Sequence, residues 1–424
     1  MPSPTPTAVR RSGAAAAWIP CSRCLSVACA DSRNLPPQYM AWFEARLRPG
    51  EPGSEAATTV AGMRGGAVGT AARELHGYYC SLEVTYLEGS IEKAIAIDEA
   101  VPGALTTSMV DDCFYLLLKC SRRAGASQSA QCLCAVLSHV NELLCTDVKR
   151  AVQQRLRGAT QQLVGSRDRD RDAAEEGQAA PASGEAAAAA LNNADVSADY
   201  VQKLRREIEQ SGLDRFTVAA DRNRVRSCLS DLAKTAGDFR AVATSALEAL
   251  ASGIMPRLRS HLDAVTGVSY ELSEEEYAAY EADDPWVQRL LATLDDSLFW
   301  LQPLLSPSNY ESLVHLMLDA VVGRLEAVLT VKKFNQLGAL QLDKDVRTCV
   351  AHAATLTEKA VREKFSRLSQ MATILNLDSA GEILDYWGEN SGSMTWRLNA
   401  QEVKQMLELR VEFERAEIAL LALS

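Results

Sequence analysis

The C-terminal stretch KFSRLSQMATILNL (residues 364–377), EILDYWGENSG (382–392) and TWRLNAQEV (395–403) decides the predicted fold. Its first segment places apolar side chains at helical spacing, which predicts a helix with one buried stripe: Phe365, Leu368, Ala372 and Leu375. Asn399 followed three residues later by Glu402 has the spacing of a capping box, with which helices begin. These signals predict a compact helical module at the end of the chain.

Further start and stop signals divide this module. Ser379 and Glu382 repeat the capping-box spacing, and Gly388 is a typical residue after a helix end. Three short helices are therefore expected. Leu398 and Val403 stand where a hydrophobic staple would join the two sides of the last helix start.

The polar and aromatic residues of the module suggest how it is held together. Tyr386, Trp387 and Trp396 flank a turn rich in Gly, Ser and Asn, and we expect them to pack inside the module instead of forming an exposed binding cage. Arg367 lies just off the apolar stripe, so its guanidinium should emerge at the helix edge and face a carboxylate. From the residues alone, Glu382 and Asp385 are as reachable as Glu402, and a solvated Arg367 beside a purely capping Glu402 stays open.

Composition favours an all-α protein. Aromatic residues make up 6% of the 424 residues, while Ala and Leu abound, which favours helix-on-helix packing. The formal net charge of −11 argues against nucleic acid as a partner. No run of apolar residues is long enough to span a membrane. The eleven cysteines form no zinc or disulfide framework, so we expect small buried side chains in a reducing, cytosolic compartment.

The helical periodicity divides the chain into successive parts. We predict an elongated rod of stacked antiparallel bundles, with bundles at residues 71–165 and 188–303 and a C-terminal bundle at 304–424. Residues 166–187 lack large apolar side chains, which predicts a flexible linker. Residues 1–70 are expected to be disordered or irregular, although the first thirty, with arginines and no acidic residue, also resemble a targeting segment.

Catalytic signatures are missing from the sequence. It contains no phosphate-binding glycine loop, no zinc-protease motif and no nucleophile elbow. Asp343 and Asp345 have the spacing of a metal-binding Asp-x-Asp pair, but no strand–helix alternation surrounds them, so we interpret Asp343 as a helix cap. The sequence therefore predicts a protein without enzymatic activity, cofactor or metal.

The three C-terminal strings resemble the end of subunit 4 of the conserved oligomeric Golgi complex, a vesicle-tethering family. TSMVDDCFYLLLKC (107–120), YEADDPWVQ (280–288) and FNQLGALQLDK (334–344) extend this resemblance from about Glu74 to the end of the chain, with a gap over the predicted linker. The family's N-terminal coiled-coil region looks absent or replaced by residues 1–70.

The resemblance implies a function and one pairing. It implies a peripheral protein on the cytosolic face of the Golgi membrane, which acts in retrograde transport within the Golgi. Its helical surfaces would bind other complex subunits, SNARE-class fusion proteins and their regulators, which would also hold it at the membrane. The resemblance further implies that Arg367 pairs with Glu402. The alternative is a generic helical scaffold of another, exocyst-like tethering complex.

Overall fold

The computed structural model describes residues 66–165, 183–213, 216, 218–282, 285–388 and 395–423. Across these ranges the chain is helical, and β-type pairing is limited to isolated bridges such as those of Phe334 with Tyr270 and with Arg410. The predicted all-α class is confirmed. Most of the predicted N-terminal segment (1–70) and of the predicted linker (166–187) lies outside the described residues.

Helices follow one another along most of the described chain. The first half of the chain contains α1 (Ala67–Ala96), α2 (Ser108–Ala126), α3 (Ala130–Leu143), a π-helical turn (Leu144–Val148), α4 (Lys149–Leu156) and α5 (Ser183–Gly212). The second half contains α6 (Ala219–Ala264), α7 (Glu274–Ala282), α8 (Pro285–Leu298), α9 (Pro307–Leu329), α10 (Gln336–Leu356), α11 (Ser366–Leu375), α12 (Ala400–Leu407) and α13 (Arg415–Leu420).

The described chain divides into two compact units. Unit 1 holds residues up to 99, 108–151 and 197–238, and unit 2 holds 100–107, 152–196 and 239 onward. Neither unit is one continuous stretch of sequence, and α5 and α6 each contribute residues to both units.

Unit 1 is built on three mutually packed helices, α1, α2 and α3. Their contact faces bury a set of fully enclosed side chains: Leu87, Ile91, Leu117, Leu133 and Leu137. Ser129 caps α3 by accepting a hydrogen bond from the backbone N–H of Cys132 at 3.3 Å. These helices therefore have locally encoded ends and a shared apolar interior.

Unit 2 has one continuous apolar core that runs from Ala159 to Ile418. The buried side chain of Asn192 in α5 makes hydrogen bonds to the backbone of two loops. Its Nδ2 donates to the carbonyls of Leu105 and Leu304, both at 2.8 Å, and its Oδ1 accepts from the Ser306 N–H at 2.7 Å. Asn192 and the Ser306 N–H are buried, and this one amide side chain supplies hydrogen-bond partners to backbone groups of two loops.

The start of α10 corrects one expectation from the sequence. Asn335, not Asp343, caps the helix, since its Oδ1 accepts the N–H of Gly338 at 2.9 Å. Asp343 lies inside α10 and pairs with Arg347 at 2.6 Å. Asp345 is buried and accepts hydrogen bonds from Tyr270 Oη at 2.6 Å and from Gln341 Nε2 at 2.7 Å. Its carboxylate therefore satisfies two other polar side chains within the core.

Gly338 allows a close approach at the same helix start. A Cβ atom built there would lie 1.7 Å from the carbonyl oxygen of Tyr270 and 2.5 Å from its carbonyl carbon. No side chain fits at that distance, so the loop at Tyr270 can cross α10 only over a glycine.

Candidate interaction site

The terminal module, residues 365–388 and 395–423, folds largely from its local signals. The predicted stripe of α11 is buried, with Phe365, Leu368, Ala372 and Leu375 all nearly free of solvent contact. The capping box of α12 is present: Asn399 Oδ1 accepts the Glu402 N–H at 3.0 Å, and Glu402 Oε2 accepts the Asn399 N–H at 2.8 Å. Both predictions are confirmed.

The second predicted capping box is wrong. Residues Ala380–Asp385 form a 3₁₀-helix, and the Ser379 side chain makes no capping hydrogen bond to it. Glu382 Oε2 accepts the N–H of Asp378, one residue earlier, at 2.9 Å. The tighter 3₁₀ geometry moves the acceptor relative to the backbone donors, so the α-helical spacing rule does not apply.

Arg367 stands at the meeting point of three helices. Its Nε donates to Glu326 Oε2 of α9 at 3.0 Å, and its Nη2 donates to Glu402 Oε1 of α12 at 2.9 Å. Its Nη1 donates to the backbone carbonyl of Arg397 at 2.8 Å. We call these four residues the Arg367 junction.

Glu402 combines the two roles that the residues alone left as alternatives. Its Oε2 belongs to the capping box, whereas its Oε1 receives the guanidinium of Arg367. Glu382, another candidate partner, is engaged with Asp378. Glu326 was not expected, because nothing in its own stretch of sequence marks it as a partner for an arginine on another helix.

Arg367 and Glu402 each favour the charged form of the other. The hydrogen bond to Glu402 is the main cause that raises the pKa of Arg367, and the same bond is the main cause that lowers the pKa of Glu402. The side chains of Arg367 and Glu402 are 37% and 32% exposed, and that of Glu326 is 20% exposed. Solvent therefore weakens these ion pairs, while the guanidinium still holds its three acceptors in fixed directions.

A cavity of about 370 Å³ adjoins the junction. Acidic and basic side chains line it in equal number: Glu326, Glu402, Glu408, Lys333, Arg367 and Arg415. Lys333 is held by the carbonyl of Glu408, which its Nζ contacts at 2.8 Å. A surface of this mixed charge suits polar contacts with another protein better than a single small anion or cation.

The two tryptophans of the terminal module pack against the core, whereas the tyrosine differs from expectation. Trp387 and Trp396 are partly buried against the core, with ring centroids 5.1 Å apart. Trp396 Nε1 donates to the carbonyl of Tyr386 at 2.8 Å. The side chain of Tyr386 is exposed (41%), so its expected burial is wrong, and the residue supports the module through its backbone.

Gln370 is a structural residue that sequence reasoning missed. Its Nε2 donates to the Thr395 carbonyl at 2.8 Å, and its Oε1 accepts the Arg397 N–H at 2.8 Å. The Gln370 amide thus bonds one backbone carbonyl and one backbone N–H of the segment before α12, as a neighbouring β-strand would. These two bonds hold that segment against α11. A buried amide within an apolar helix face was the available signal.

The described ranges also bear on two other kinds of site. No group of three or more His, Cys, Asp and Glu side chains in those ranges is placed to hold a metal ion. None of the helices described is both long and apolar enough to cross a membrane.

The family model described as "Conserved oligomeric Golgi complex subunit 4, C-terminal" matches residues 187–405. The model described as "COG4 transport protein, middle alpha-helical bundle" matches residues 38–156. The chain belongs to the conserved oligomeric Golgi complex subunit 4 family. The Golgi-complex resemblance predicted from the sequence is confirmed, and the match begins upstream of Glu74. The stretch between the two matches, residues 157–186, covers the predicted linker except its last residue.

Curated relatives agree with this assignment. The conserved oligomeric Golgi complex subunit 4 of Arabidopsis thaliana is 45% identical over 370 residues, which cover 86% of this chain and 48% of the relative. The Homo sapiens protein of the same name is 36% identical over 372 residues, which cover 83% of this chain and 47% of the relative. The chain therefore spans about half the length of the curated relatives it matches.

A solved structure shares the fold. The C-terminal domain of the exocyst subunit Sec6p aligns with a TM-score of 0.55 at 12% identity, covering 82% of this chain and 89% of that one. At this identity the likeness concerns fold alone. The sequence matches, in contrast, are to the Golgi-complex family, so the exocyst-like alternative is not favoured.

Proposed function

We propose that this chain acts without catalysis in a Golgi vesicle-tethering complex, in retrograde transport within the Golgi. The observation that supports this most is the pair of consecutive family matches, to the middle bundle and to the C-terminal part of the Golgi-complex subunit. Its partners are the other subunits of the complex and SNARE-class proteins with their regulators. Through them it is held, as a peripheral protein, on the cytosolic face of the Golgi membrane.

Tethering of this kind needs stiff elements and exposed recognition surfaces, with no bond-making step. The Arg367 junction supplies stiffness, because one guanidinium fixes α9, α11 and the start of α12 together. Leu384 and Tyr386, each 41% exposed, lie next to the tryptophan pair. We propose this part of the terminal module, with Arg367, Glu402, Trp387 and Trp396 as its frame, as a contact surface for a partner helix.

Affinity capture with mass spectrometry tests the proposal. The tagged chain is expressed in cells, and the captured proteins are compared for the unchanged chain, for Tyr386→Ala and for Tyr115→Ala. Tyr115 is a matched control, because it is an equally large, exposed side chain (63%) on α2 of unit 1. Both substitutions are at exposed positions, so neither should unfold the chain.

The expected result is capture of other Golgi-complex subunits by the unchanged chain and by Tyr115→Ala, with a clear loss for Tyr386→Ala. Capture of exocyst subunits without Golgi-complex subunits would contradict the proposed complex. Equal capture of Golgi-complex subunits by all three chains would support the proposed complex. It would contradict the proposal that the terminal module is the contact surface. Binding of purified SNARE-class helices to the chain tests the fusion-machinery part separately.

A further inference from the structure

Two cysteine thiols of unit 1 lie in contact. Cys80 is in the middle of α1, and Cys132 is in the first turn of α3. The Cys80 S–H donates to Cys132 Sγ at 3.3 Å. Both are free thiols, and a disulfide bond of about 2.0 Å would need only a small further approach of the two sulfur atoms.

The two thiols differ in access to solvent. Cys132 is 1% exposed, whereas Cys80 is only half-buried. A reagent in solution can therefore reach Cys80 and not Cys132. This is the arrangement of an attacking thiol backed by a resolving thiol, which redox-active cysteine pairs commonly show.

The more accessible thiol, Cys80, also has the lower pKa of the two. When Cys80 ionises, the Cys132 S–H donates to its thiolate, and this hydrogen bond lowers the pKa of Cys80 against the opposing effects of burial and Glu83. The hydrogen bond to Cys80, followed by burial, raises the pKa of Cys132. Arg123 offsets the Glu83 charge, since its Nε donates to Glu83 Oε1 at 3.0 Å. The reachable thiol is thus also the better nucleophile.

We propose that Cys80 and Cys132 form an oxidisable dithiol, a modification site that exchanges with small-molecule disulfides of the glutathione class. The Cys80 thiolate attacks one sulfur of oxidised glutathione, and the other glutathione leaves as a thiolate and takes up a proton. Cys132 then attacks the Cys80 sulfur of the mixed disulfide and releases the second glutathione, which receives the Cys132 proton. Two thiols are oxidised by two electrons, and one glutathione disulfide is reduced to two thiols.

The resulting bond would join α1 to α3. These helices are packed already, so the bond adds a covalent tie inside unit 1 and closes a loop through α2. A second near pair, Cys134 and Cys228, offers a comparison within the same unit. Burial first, then Cys228, raises the pKa of Cys134 to about 12, so this thiol is a poor nucleophile at neutral pH.

Thiol mapping of the full chain tests the proposal. The purified, reduced protein is incubated with oxidised glutathione at neutral pH, alkylated, digested and analysed by mass spectrometry. Cys134→Ser is included because Cys134 lies near Cys132 in the sequence, and its removal makes the cross-link assignment unambiguous. Cys132→Ser and Cys80→Ser test the order of the two steps, and circular dichroism confirms that each variant is folded.

The unchanged chain and Cys134→Ser are expected to show a Cys80–Cys132 cross-link with no retained glutathione. Cys132→Ser should stop at one glutathione on Cys80, and Cys80→Ser should leave Cys132 unmodified. The oxidised protein should unfold at a midpoint higher by roughly 5 °C, a gain that dithiothreitol reverses. Glutathione retained on Cys80 of the unchanged chain without a cross-link would overturn the proposal, as would a cross-link to Cys134 or an unreactive Cys80. All three of these outcomes are read on the unchanged chain, so none depends on a variant that folds poorly.

Discussion

Breaking the Arg367 junction is expected to loosen the terminal module in a way that depends on both partners. Arg367→Ala removes three side-chain hydrogen bonds at once and leaves Glu326 and Glu402 without their shared cation. Glu402→Ala removes one of these bonds together with half of the capping box of α12. The two substitutions therefore share one contact, and their effects on the free energy of unfolding should not add.

The size of each effect follows from the exposure of the groups. A fully buried ion pair that loses one partner costs about 3–5 kcal/mol, but solvent reaches both of these side chains and screens the charge. We therefore expect about 2–3 kcal/mol for Arg367→Ala and about 1–2 kcal/mol for Glu402→Ala. The coupling between the two positions should be about 1 kcal/mol.

Urea unfolding of the single and double variants, followed by circular dichroism, measures these energies. Glu402→Gln is the matched control, because its amide oxygen can still accept the Asn399 N–H while its charge is lost. It should retain the capping contribution and lose the coupling to Arg367. Strictly additive losses in the double variant would refute the pairing and leave Glu402 as a capping residue alone.

Three further predictions concern the same unit. Gly338→Ala should cost more than about 3 kcal/mol or prevent folding, since its Cβ would meet the carbonyl of Tyr270. Gly323→Ala is the matched control: apart from the backbone of its own helix, nothing lies within 4 Å of its Cβ, so the substitution should be neutral or slightly stabilising. Thermal unfolding measures both. Because the folded-state pKa of Glu402 is lowered, its contribution is fully present above the pKa of the unfolded chain and is lost as the pH falls through the folded-state pKa. The difference in unfolding free energy between the unchanged chain and Glu402→Gln should thus shrink as the pH falls below the ordinary range of a glutamate, and a constant difference would contradict this. Asn192→Leu should cost about 3 kcal/mol in urea unfolding, because it removes the partner of three backbone groups in two loops, among them the buried Ser306 N–H. A loss below about 1 kcal/mol would show that other groups satisfy them.

The features that the sequence predicted correctly depend on neighbours within a few residues. The stripe of α11 repeats every third or fourth residue, and the capping box at Asn399 closes over three. The start of α10 could not be found in this way. A tertiary contact holds Asn335 at the N-cap position. Its Oδ1 accepts the N–H of Leu272 at 3.1 Å, and its Nδ2 donates to the carbonyl of Leu272 at 2.7 Å. Asp343 has equal capping propensity and no such contact to fix the helix start beside it.

The Arg367 junction shows why a local pattern can hide a distant one. The capping box accounts for Glu402 fully within its own helix, so no feature of that segment indicates that the second carboxylate oxygen has another donor. Its pairing with Arg367 was implied by the family resemblance, and the structure adds that Glu326 shares the same guanidinium from a helix 41 residues away in the sequence. Arginine can serve both acids and a carbonyl because its donors point in fixed, separate directions. Which acids pair with Arg367 therefore depends on how α9, α11 and α12 converge. The packing of the core determines that convergence, and no short sequence motif predicts it.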